Sequence, residues 1–192
     1  MNKKIKSINA RHILDSRANP TIEVEVTTSD NIIGRAAVPS GASTGALEAH
    51  ELRDNDSFFN GMGVNKAIEN VKTIISDSLV GMDVTDQGSI DDMLIEIDGT
   101  DNKNNLGANA ILAVSMATMR ASANQQNKQL FELFPNIYGP SSLPIPFMNI
   151  LNGGAHADNS VDIQEFMIVP FGFETFDTSL KAGVEIYHVL KK

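Results

Sequence analysis

The first 130 or so residues predict an α+β unit, on two observations: an early alternation of apolar and polar side chains, and its replacement by a helical period from about Gly63. Thr21-Ile22-Glu23-Val24-Glu25-Val26-Thr27 alternates strictly, as a half-buried strand does. Ile5 to Ile13 and Ile32 to Val38 flank it as strand candidates, and Asp30-Asn31 supplies a hairpin turn between the second and third. The expectation is a three-stranded antiparallel sheet.

Helices follow. Val64, Ala67, Ile68, Val71, Ile74 and Ile75 fall at helical spacing, and so do Ile90, Met93, Leu94 and Ile97. Asp98-Gly99 stops the second of these, and an Asn-rich loop runs to Asn105. Ala108 to Ala121 reads as a third helix, Ala-rich and apolar on most sides, which predicts burial among its neighbours. Residues 1–134 are taken as one domain. Pro135 to Pro146 carries four prolines, a glycine and two serines and marks a linker. Residues 147–192 then hold two apolar runs, Ile145–Leu151 (which begins inside that linker) and Phe166–Val169, and a helix from about Thr175 with Phe176, Leu180, Val184, Tyr187 and Leu190 on one face.

Composition narrows the function. The 192 residues carry a net charge of −9, which repels phosphate backbones, and the only adjacent basic pairs are Lys3-Lys4 and Lys191-Lys192. No nucleic-acid partner is expected. A small anionic substrate stays open, because a bound divalent cation inverts local charge. The absence of cysteine excludes disulfides and thiolate metal sites and fits a reducing compartment. Lys3-Lys4-Ile5-Lys6 is followed by polar residues rather than the apolar core of a signal peptide, and no apolar run approaches the roughly 20 residues of a membrane span. A cytoplasmic chain is expected.

Two stretches carry chemistry. Val38-Pro39-Ser40-Gly41-Ala42-Ser43-Thr44-Gly45 puts three hydroxyls and two glycines directly after a strand; hydroxyl oxygens can ligate a hard cation, and alone the loop reads as a flexible surface connection. It lacks the Gly-Lys-Ser/Thr ending of a nucleotide-binding loop. Asn152 to Pro170, NGGAHADNSVDIQEFMIVP, sets His156, Gln164 and Glu165 around a glycine-rich turn at the mouth of an apolar run. Alone, His156 reads as a structural histidine and Gln164-Glu165 as edge polar groups, but three polar groups of different type around one turn favour a site lining. His12, His50 and His188 read as structural or surface residues. Asp158, Asp162 and Glu165 read as a solvated face rather than a metal trio.

Together with DSRANP (Asp15–Pro20), ELRD (Glu51–Asp54), GMDVTDQ (Gly81–Gln87) and IDGTDNKNNLGANAIL (Ile97–Leu112), these stretches resemble the enolase family in order and spacing along the whole chain. One departure is Ala18, where the family has glycine; at positive φ it would be strained by about 1 kcal/mol or somewhat more. The resemblance implies dehydration of 2-phosphoglycerate to phosphoenolpyruvate with two Mg2+ ions, a strategy the superfamily shares. It implies that Ser43 ligates the second magnesium, that His156 lies by the substrate phosphate, and that Gln164 and Glu165 help hold substrate and leaving hydroxyl. His156 and Glu165 are thereby expected to be catalytic.

The resemblance also implies that residues 147–192 begin an α/β (TIM-like) barrel. Such barrels need about 250 residues, so a truncated barrel is expected, with the main catalytic acid, base and first-magnesium ligands absent and the chain inactive alone. The alternative is a natural short, non-catalytic binding or dimerising module. A homodimeric or larger parent is implied, with Arg11 and Glu23 at positions the family pairs with charges across that interface.

Overall fold

A computed structural model of the chain describes residues 3–41, 45–134 and 142–192. It divides into two compact units, Met1–Pro135 and Asn136–Lys192.

The first unit is built on three antiparallel strands in the order β1-β2-β3: β1 (Ile5–Leu14), β2 (Pro20–Thr28) and β3 (Ile33–Ala37). The alternation in β2 turns Ile22, Val24 and Val26 inward, all fully buried, and leaves Glu23 and Glu25 on the other face. There the register sets Arg11 opposite Glu23 and Glu25 opposite Arg35. Arg11 reaches both Glu23 (2.5 Å) and Glu25 (2.7 Å), and Arg35 reaches Glu25 (2.6 Å). Arg11 and Glu23, the positions expected to meet partner charges, also pair with each other within the chain. The β1–β2 turn places Ala18 at φ 60, in the left-handed region that its family glycine adopts freely.

The helical layer begins with α1 (Asn65–Asn70), continues through a π turn (Val71–Ile75) and ends in α2 (Ser76–Leu79). Asp54 caps the start: its carboxylate accepts from Asn65 N and Lys66 N, each at 2.8 Å. α3 (Gln87–Asp98) is capped by Asp86 and stopped by Gly99 at φ 67. α4 (Ala108–Gln125) runs four residues past its expected end. It is buried among its neighbours, chiefly along one side: Ala110, Ala113, Ala117 and Ala121 are fully buried while Leu112 is exposed. The alanine stripe and Gly34 together allow the helix to lie close on β3, since a Cβ on Gly34 would overlap the backbone of Ala117 and Ala121. Ile5, Ile75, Leu79, Ile90, Leu94 and Val114 complete the core.

In the second unit, β4 (Met148–Asn152) pairs antiparallel with β5 (Glu165–Ile168), and α5 (Phe176–Leu190) follows. Barrels of this class use parallel strands joined through helices. Here the connection folds into a turn instead, so the first two strands form a hairpin. α5 is fastened by Ser179 Oγ donating to Pro170 O at 2.7 Å, and Gly183 leaves room for Met148, whose sulfur a Cβ would overlap. No helix among the described residues is long and apolar enough to cross a membrane.

Candidate active site

The hairpin turn of the second unit carries its chemistry. Gly153 N donates to Gln164 O at 2.9 Å and Gly154 N to Val161 O at 2.6 Å, so the chain leaves β4 and returns to β5 across two short bonds. Gly154 sits at φ 54, and a Cβ on Gly153 would strike the carbonyl oxygens of Val161 and Ile163. Side chains larger than hydrogen do not fit this crossing. Asn159 holds the far side, donating from Nδ2 to Asn152 O at 3.0 Å and accepting from Val161 N at 3.0 Å.

The short 3-10 turn Gly154–His156 delivers His156 between Gln164 and Glu165. Gln164 Nε2 lies 3.0 Å from His156 Nε2, and Glu165 Oε1 lies 3.6 Å from His156 Nδ1. The same amide nitrogen lies 3.4 Å from His156 Nδ1, so it faces both ring nitrogens. The three residues picked out along the sequence therefore meet at one point, with His156 and Glu165 part-exposed. An imidazole steadied by an amide and a carboxylate can bind an oxyanion and can exchange a proton.

The hydroxyl loop is anchored by the first unit. Ser43, the expected magnesium ligand, lies outside the described residues. The root of the loop is well defined: Arg17 Nη2 donates to Ser40 O (2.8 Å) and Gly41 O (3.2 Å). Asp15 shapes the turn that carries Arg17, its Oδ1 accepting from Arg17 N and Asn19 N at 2.8 Å each. Those backbone bonds, Asn19 first, hold the Asp15 carboxyl below its ordinary value.

Behind the root stands buried Arg53, which donates to Pro20 O and Met62 O (2.6 Å each), to Glu51 Oε1 (2.7 Å) and to Ser40 Oγ (3.1 Å). Arg17, Glu51 and Arg53 were not singled out from the sequence as loop-holding residues. The available signal was a charged trio, Glu51, Arg53 and Asp54, broken only by Leu52, with no strand or helix period to expose it.

The long motif from Ile97 braces the same region. Buried Asp98 accepts from Leu106 N at 2.7 Å and Thr100 N at 3.1 Å, and also from the Thr100 hydroxyl. Burial pushes the Asp98 carboxyl up, but these bonds outweigh it and leave the group below its ordinary value. Asn109 then exchanges two 3.1 Å bonds with the backbone of Leu52, tying α4 to the ELRD segment.

The other histidines lie elsewhere: His12 packs edge-on to Phe59, His188 edge-on to Tyr187, and His50 is held through its backbone by Asn102 and Ala108. Among the described residues no group of three or more His, Asp or Glu is placed to hold a metal ion, and the Asp158, Asp162 and Glu165 trio forms none.

Two family models match the chain. Enolase, N-terminal domain, matches residues 5–134, and Enolase, C-terminal TIM barrel domain, matches residues 140–192. The first covers the three-stranded sheet and its helices, the second the hairpin and α5, and the chain belongs to the enolase family.

Proposed function

We propose that these residues form part of the active site of a hydro-lyase that dehydrates 2-phosphoglycerate to phosphoenolpyruvate in the cytoplasm. The observation that carries the reading is the convergence of His156, Gln164 and Glu165 on one glycine-built turn. In it, His156 contacts the phosphorylated substrate, while Gln164 and Glu165 orient the ring and present an amide and a carboxylate to the substrate and its leaving hydroxyl. The turn supplies positioning: a reacting group displaced by about 1 Å loses on the order of a hundredfold in rate.

Magnesium dependence belongs to this reading as a family property. Among the described residues no group of three or more His, Asp or Glu is placed to hold the ion, and Ser43, outside them, is the ligand this stretch would supply. The base that removes the C2 proton is, in this reading, none of the residues named here.

The test joins these residues to a complete barrel in one active polypeptide. His156→Ala should lower kcat by on the order of a hundredfold with a smaller change in KM, because the turn positions groups for the reaction rather than for substrate capture alone. An unchanged kcat takes His156 out of the active site. The 192 residues by themselves should show no turnover.

A further inference from the structure

The two terminal nitrogens of buried Arg53 have different partners. Nη1 donates to Pro20 O at the start of β2 and to Met62 O ahead of α1, each at 2.6 Å, which fastens the fold. Nη2 turns to the hydroxyl loop instead, donating to Glu51 Oε1 at 2.7 Å and to Ser40 Oγ at 3.1 Å. The Ser40 hydroxyl donates in turn to the second oxygen of Glu51 at 3.0 Å, which closes a ring of three side chains. Nε is buried with no partner among the described residues.

The ring grips the edge of an exposed stretch. Gly41 is exposed, and so is every residue from Gly45 to His50. Arg17 holds the carbonyls of Ser40 and Gly41 while Arg53 and Glu51 hold the Ser40 hydroxyl. Two arginines and a carboxylate therefore converge on two residues that bring almost no apolar surface to the core. Stability alone accounts for this poorly, because desolvating a charge offsets most of what a buried pair gains. What the ring adds is a single defined position for residue 40.

We propose that Ser40, Glu51 and Arg53 are positioning residues for the reaction proposed above. They fix the point from which the chain runs on to Ser43, the hydroxyl that the enolase resemblance assigns to the site. The inference rests on the hydro-lyase reading, and in it none of the three touches substrate. A misplaced group costs turnover more than substrate capture, so the ring acts on kcat.

Ser40→Ala opens the ring and leaves both Nη1 bonds in place, so the variant should fold. Nitrogen-15 relaxation on the 192-residue chain reads the anchor. The amide order parameters of Ser40 and Gly41 should fall from the rigid range, about 0.85, towards about 0.6, with those of Val24 and Val26 unchanged. In the active polypeptide with a complete barrel, Ser40→Ala should lower kcat by on the order of tenfold at nearly constant KM. Ser40→Thr, which keeps the hydroxyl, should recover most of that loss. Ser40→Ala combined with Glu51→Gln should lose little more than the worse single variant, as members of one ring do. Ser78→Ala removes a hydroxyl that bonds Ile74 O at 2.8 Å elsewhere on the first unit, and it should leave kcat unchanged. Unmoved order parameters overturn the anchor, and a wild-type kcat in Ser40→Ala overturns the positioning role. No turnover of 2-phosphoglycerate by the wild-type polypeptide overturns the hydro-lyase reading, and with it the role but not the anchor, which the order parameters decide separately.

Discussion

In the first unit Ile22, Val24 and Val26 lie beneath α4 with no exposed surface; in the second, Leu151, Phe166 and Met167 of the hairpin stand 47, 39 and 47% exposed. Apolar residues are not what the second stretch lacks, since Met148, Ile150, Leu151, Phe166, Met167 and Ile168 fill six of the nine positions of β4 and β5. What differs is the supply of neighbours: three strands and a helical layer close the first core, whereas one hairpin and one helix have too few faces to cover each other. Two-stranded hairpins are marginal on their own for that reason. In the second unit only Gly153, Pro170, Ser179 and Gly183 are buried among the described residues. Yet that unit holds the best-organised chemistry, because glycine geometry and short backbone bonds place His156 without help from a core. Positioning and stability are separable here.

The largest effect expected follows from that contrast. Ile22→Ala should destabilise the first unit by about 2–5 kcal/mol, the range for emptying a closed core, whereas Leu151→Ala should change unfolding by less than about 0.5 kcal/mol. Chemical denaturation followed by circular dichroism measures both. Comparable losses would mean that the hairpin has a core after all.

A smaller effect concerns acid. Asp15, Glu25, Asp83 and Asp98 are all held below their ordinary values, by backbone bonds from Asn19 and Thr85 at Asp15 and Asp83, by Arg11 and Arg35 at Glu25, and by the Leu106 and Thr100 bonds at Asp98. All four belong to the first unit. A depressed carboxylate stabilises the fold fully above its unfolded value and loses that contribution as pH falls through the folded one. For Asp98 the loss therefore begins below its unfolded value of 3.8. Asp98→Asn should cost about 1–3 kcal/mol at neutral pH, with the gap from wild type narrowing under acid. A gap that widened in acid would reverse the sign assigned to Asp98.

Much of the first unit was readable along the chain, since period two and period 3.6 each name a buried face. The π turn within residues 65–79 was not, because a wider turn leaves the same apolar positions inside. Nor was the one-sided burial of α4, whose alanines look alike on every face until Gly34 of β3 selects one. The antiparallel hairpin could have been foreseen from Gly153-Gly154, which favour a reversal over a crossover helix. At the site, His156, Gln164 and Glu165 were legible as a cluster. Arg17, Glu51 and Arg53 were not, because their partners are backbone and side-chain atoms of three separate segments.

The smallest effect tests local strain. Ala18→Gly should stabilise the first unit by roughly 0.5–1 kcal/mol, as relief of the left-handed conformation exceeds the added chain entropy of glycine. Destabilisation would show that the turn holds Ala18 without strain.

Native-state hydrogen exchange on the intact chain tests the contrast most directly. Amides of Val24 and Val26 should exchange only through global unfolding, and those of Met148–Asn152 and Glu165–Ile168 through local opening several orders of magnitude faster. Equal protection in the two strand sets would contradict the account: the second unit would then have a stability of its own, and its exposed apolar faces would need another explanation.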